Sequence, residues 1–132
     1  MTRIFILFLF SLTTGICSGQ TQNDMNQEAK VYYQKFEKEI NSVYQAILKK
    51  YSSDIAFIKN LKTAQRLWIQ FRDAEMKMQF PDRPEGHYGS VQLMCRYNYM
   101  TELTKERIKT LNIWLTGIEE GDVCSGSVNT KN

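Results

Sequence analysis

Apolar residues recurring at steps of three and four run through most of this chain, and that period fits helices rather than strands. From Asn23 to Tyr51 there is neither glycine nor proline, and Phe36, Ile40, Val43, Tyr44, Ile47, Leu48 and Tyr51 share one stripe. The pattern predicts a single long amphipathic helix, with Lys35, Lys38, Glu39, Gln45 and Lys49 on its solvated side. Ser52, Ser53 and Asp54 then offer capping oxygens, and the period restarts through Ile58, Leu61, Ala64, Gln65, Trp68, Phe71, Arg72 and Glu75, predicting a second helix to about Gln79. A third helix, capped by Ser90, is expected to carry Met94, Tyr97, Thr101, Thr104, Ile108, Leu111 and Leu115 until Gly117 ends it.

The segment from Phe80 to Gly89 holds both prolines of the chain and two of its glycines, so it reads as a loop, the longest between helices. Short connections favour antiparallel neighbours. The expected fold is therefore all-α, a small up-down-up three-helix bundle followed by a tail, Ile118 to Cys124, without helical period.

Met1, Thr2 and Arg3 place one positive charge ahead of an almost unbroken Ile, Leu and Phe run from Ile4 to Leu12, the pattern of a secretory signal peptide. A membrane span would need about 20 apolar residues, and this run is too short. Cys17 and Gly19 supply the small residues required for cleavage before Gln20, which makes residues 1–19 the leader and 20–132 one helical domain. Thr13 and Gly15 would serve an earlier cut before Ile16. A lipid anchor on Cys17 would need a small residue before it, and Ile16 is bulky. The expected destination is the periplasm or the extracellular space.

Cleavage before Gln20 removes Cys17 and leaves Cys95 and Cys124, an even pair in an oxidising compartment. A Cys95–Cys124 disulfide is therefore expected to anchor the tail. The net charge of +3 falls by one when Arg3 leaves, and the remaining charges are spread along the chain, which gives no footprint for nucleic acid.

Catalytic constellations are missing from the sequence. The single histidine, His87, cannot form a metal cluster alone, there is no Cys-x-x-Cys, and neither a glycine-rich phosphate loop nor a Gly-x-Ser-x-Gly elbow occurs. Asp73 and Glu75 are two residues apart, so on a helix they diverge and make a poor acid–base pair. The expectation is a non-enzymatic protein without catalytic residues, metal or cofactor.

The densest polar cluster lies in the second helix, where Gln65, Trp68, Arg72 and Glu75 share a face with Leu61 and Ala64. Buried polar groups must find partners. The residues read either as an internal network around a central, buried Trp68 or as a groove offering Arg72, Asp73 and Glu75 to a ligand.

The stretch AQRLWIQFRDAE at Ala64 to Glu75, followed by YGS, a cysteine and LTKERIKTL ending at Leu111, resembles the N-terminal domain family of the LprI-type lysozyme inhibitor. The likeness extends back through INSVYQAIL at Ile40 to Leu48 and TQNDMNQEA at Thr21 to Ala29. It implies an exported, helical, cysteine-stapled domain whose motif cluster comprises Gln65, Trp68, Arg72, Asp73, Glu75 and Arg107. Many relatives carry cysteines where this chain has Glu28 and Met76, which is what the loss of one disulfide would look like, while their cysteine in the third helix matches Cys95. The resemblance implies lysozyme or another envelope protein as partner. The rival reading is a structural or stress-related periplasmic protein. Loops on a helical scaffold commonly carry recognition, so Asp82, Arg83, Glu85, His87 and Tyr88 form the candidate contact surface.

Overall fold

The computed structural model describes residues 20–131. The expected signal peptide, the cleavage sites and Cys17 lie outside the described residues. Three helices follow in order: α1 spans Gln22–Lys50, α2 Ile55–Gln79 and α3 Gln92–Thr116.

Local chemistry sets most of their ends. Thr21 opens α1 with a capping box, its hydroxyl accepting from the Asp24 amide while the Asp24 carboxylate accepts from the Thr21 amide. Asp54 caps α2 by accepting from the Phe57 amide at 2.9 Å. Gly117, at φ +75°, ends α3 in backbone that favours glycine.

The start of α3 differs from expectation. Val91 is its N-cap, and neither Val91 nor Ser90 supplies a capping side chain. Asn26 of α1 does so from a distance, its Oδ1 accepting from the Met94 amide at 3.1 Å and its Nδ2 donating to the Ser90 carbonyl at 3.0 Å. That clasp joins the beginnings of α1 and α3, and Lys50 Nζ donating to the Leu115 carbonyl joins their ends, so the two helices run parallel. The middle helix in sequence, α2, runs antiparallel to both: Arg107 meets Gln65, and Tyr99 meets Glu75.

The up-down-up bundle is thus present, but its packing is uneven. α1 and α3 lie side by side, whereas α2 approaches α3 at few backbone positions and α1 at fewer still. Thr101 and Thr104, fully buried, keep the α1-facing side of α3 slim, and their hydroxyls are satisfied by the Tyr97 and Met100 carbonyls one turn back. The core comprises Ile40, Ile47, Tyr51, Leu61, Ile108 and Leu111. Trp68 is half-buried at the edge of this core rather than at its centre, which Ile47 and Leu111 occupy. Phe71 also departs from the expected stripe, lying 52% exposed on the outer side of α2 with Leu67 and Met78.

The expected Cys95–Cys124 disulfide is not formed, and both cysteines are free. Cys95 sits in the first turn of α3, and Cys124 lies beyond its other end. The tail is instead held where α3 stops. Ile118 and Thr130 form a parallel β-bridge, the Trp114 indole donates to Ser127 Oγ at 3.0 Å, and the Tyr51 hydroxyl donates to the Trp114 carbonyl while accepting from the Asn129 amide. Among the described residues no helix is long and apolar enough to cross a membrane.

Candidate functional site

Two regions carry the residues singled out in the sequence, the inner face of α2 and the loop joining α2 to α3. On α2 the steps of three and four aim polar side chains at the other helices. Arg72 Nη1 donates to the Tyr33 hydroxyl of α1 at 3.2 Å, Tyr33 donates in turn to Glu37 at 2.7 Å, and Arg72 Nε and Nη2 both reach Asp73 Oδ1, at 3.0 and 2.8 Å. The guanidinium lies 5.5 Å from the Trp68 ring centre, close enough for a cation–π contact. One turn further along α2, Glu75 accepts from Tyr99 of α3 at 3.0 Å. Towards the other end, Gln65 accepts from Arg107 Nε at 3.1 Å.

The six motif residues therefore do not converge on one spot. They form three separate bridges that tie α2 to its neighbours alongside the apolar contacts of Leu61, Phe57, Ile58 and Trp68. Burial, helped by the hydrogen bond to Glu37, raises the Tyr33 pKa well above the usual tyrosine value, with Arg72 opposing. The Tyr99 pKa is raised too, there by the hydrogen bond to Glu75 first and burial second. Tyr33, Glu37 and Tyr99 complete these bridges and were not among the residues singled out. Tyr33 was within reach, because it lies three residues before Phe36 on the α1 stripe.

The loop from Pro81 to Ser90 is closed on itself. Tyr88 Oη donates to the Pro81 carbonyl at 2.7 Å, and turns bring the His87 amide to the Pro84 carbonyl and the Gly89 amide to the Gly86 carbonyl. Gly86 and Gly89 take positive φ, which lets the chain reverse twice in so short a span. Below the loop Phe80 packs edge-on against Tyr88 and Tyr99, and Arg96 of α3 lies 5.5 Å from its ring centre while donating to its carbonyl at 3.3 Å.

Asp82, Arg83, Glu85 and His87 stay exposed on this closed frame, and Tyr88 is half-buried as its strut. None of Asp82, Arg83 and Glu85 forms an ion pair among the described residues. His87 packs edge-on against Tyr88, with ring centres 4.8 Å apart. A hollow of about 200 Å³ separates the loop from Gln92 and Arg96. The arrangement presents free charges of both signs on an exposed, self-supported loop. Arg96 was not anticipated, and its position one turn into α3 beneath the loop is visible only in three dimensions.

No curated protein and no solved structure matches this chain. A family model described as Lysozyme inhibitor LprI matches residues 17–111, which takes in all of α1, all of α2, the loop and most of α3. The chain belongs to the LprI lysozyme inhibitor family.

Proposed function

We propose that this chain is an exported, non-catalytic binding module that inhibits a lysozyme in the cell envelope or outside the cell, with the Pro81–Tyr88 loop as its contact element. Family membership over residues 17–111 carries the reading. The loop supports it physically. An inhibitor of a cleft enzyme needs a projecting part that keeps its shape when it docks, and a loop held by its own hydrogen bonds loses little entropy on binding. The helix faces are less suited, since the polar side chains of α2 are occupied in bridging the bundle.

Charge decides which lysozymes suit it. Asp82 and Glu85 would favour a basic cleft, but Arg83 offsets one of them and the chain as a whole is positive. Inhibition of a strongly basic c-type lysozyme should therefore be weak. The test measures lysis of a cell-wall suspension by several lysozyme types with an excess of residues 20–132, beside a variant in which Pro81–Tyr88 is replaced by a short Gly-Ser linker. Inhibition by the parent and none by the variant, with the helical circular dichroism unchanged, is the expected result. Strong inhibition that survives the replacement sinks the loop assignment, and no inhibition of any lysozyme type sinks the inhibitor reading.

A further inference from the structure

Because α2 stands off from α3, a groove of about 400 Å³ opens between the first half of α2 and the second half of α3. Leu61 and Leu111 form its floor, both buried. Phe57 and Trp114 form the wall at one end, their ring centres 6.2 Å apart, and Ser127 of the tail fixes the indole there. Arg107 stands at the other end. Small-ligand pockets are commonly about 300–1,000 Å³, mostly apolar and provided with a few oriented polar groups.

Arg107 is the polar group with donors to spare, being half-buried with part of its guanidinium open to the groove. Its Nε donates to Gln65, but its two Nη nitrogens meet no acceptor and no carboxylate pairs with it among the described residues. Arg72 offers the contrast, since both faces of its fork are used and Asp73 neutralises it. Burial pushes the Arg107 pKa down without any compensating negative charge, while the group remains cationic at neutral pH. The carboxylate that does line the groove, Asp54, is at the Phe57 end and is engaged in capping α2. Eleven residues of helix, about 16 Å, separate its position on α2 from that of Gln65.

We propose that this groove binds an amphipathic monocarboxylate, its carboxylate held by the two free Nη nitrogens of Arg107 and its apolar body laid over Leu61 and Leu111 towards Phe57 and Trp114. The two Nη nitrogens left over from the Gln65 bond suit one carboxylate, which the guanidinium fork matches in bidentate fashion. From Arg107 to Trp114 the helix advances about 10 Å, which suits a medium-length acyl chain or an aryl group. The groove is remote from the Pro81–Tyr88 loop, since Arg107 lies fifteen residues, about 22 Å, along α3 from Gln92. The assignment is therefore independent of lysozyme inhibition.

The test titrates decanoate and, separately, decylammonium into residues 20–132 by calorimetry, below their micelle concentrations, while following the Trp114 indole N–H resonance. Decanoate should bind at one site and shift that resonance, and decylammonium should bind at least about tenfold more weakly. Arg107→Gln should weaken decanoate about tenfold and Arg107→Lys less. Ala64→Phe fills the groove from an exposed wall position without touching the charge, and should abolish binding; it decides the matter if Arg107→Gln does not fold. Absence of saturable decanoate binding, equal binding of the two amphiphiles, or binding that survives both Arg107→Gln and Ala64→Phe overturns the proposal.

Discussion

Tyr33 shows how a single hydroxyl holds two helices in this bundle. It donates to Glu37 on its own helix and accepts from Arg72 on α2, so the neutral phenol is the form the fold requires. Its folded pKa is raised, by burial first and Glu37 second. The contribution of a group with a raised pKa is fully present below its unfolded value, about 10 for tyrosine, and is lost as the pH climbs from there towards the folded value. The urea midpoint of the wild type should therefore fall between about pH 9 and about pH 11 more steeply than that of Tyr33→Phe. At neutral pH the same substitution should cost about 1 kcal/mol, because Arg72 keeps Asp73. Parallel pH profiles would show that Tyr33 does not titrate with folding. The α2 half of this network was legible, since spacing alone puts Gln65, Trp68, Arg72 and Glu75 on the inward face. Their partners were not, because Tyr33, Tyr99 and Arg107 come from helices 24 to 42 residues away in sequence.

Helix ends divide in the same way. Where a cap is local in sequence, as at Asp54 and Gly117, the residues announce it. Where it comes from another element, as Asn26 does for α3, the sequence points to the nearest serine and misplaces it. Gly117 has a second constraint that sequence does not show. A Cβ there would stand 2.8 Å from the Asn129 carbonyl oxygen, in the strand-like return that bonds the Ile118 amide to Asn129 and the Lys131 amide to the Ile118 carbonyl. With φ +75° and ψ 177°, the position is also one that non-glycine residues adopt only at a cost of order 1–3 kcal/mol. Gly117→Ala should lower stability by about that amount and release the tail, read as a lower urea midpoint and faster hydrogen exchange at the Ile118 and Lys131 amides. Unchanged exchange at both amides would show that the tail tolerates the methyl group.

At the scale of the whole molecule, three helices, their order and their alternating direction follow from the apolar period and the punctuation between segments. Depth of burial does not, because a stripe says which way a residue points and not how near the facing helix comes. Trp68 and Phe71 were both expected on the inward stripe of α2, yet one is half-buried and the other lies outside, since α2 comes close to its neighbours at few positions. The same blindness to length produced the expected disulfide. Cys95 is in the first turn of α3, about 32 Å by helical rise from Thr116. Cys124 follows Thr116 by eight residues, which span at most about 28 Å when fully extended. A bond needs the two Cα atoms within about 7 Å, so the tail would have to run straight back along α3 and give up the Ser127, Asn129 and Thr130 contacts that hold it at the far end. Residues 20–132 should therefore keep two thiols in an oxidising medium. Without reductant, iodoacetamide should add at both Cys95 and Cys124, more slowly at the half-buried Cys95, and the urea midpoint should not move when dithiothreitol is added. An intact mass short of two hydrogens, with no alkylation before reduction, would show that the tail folds back along α3 after all.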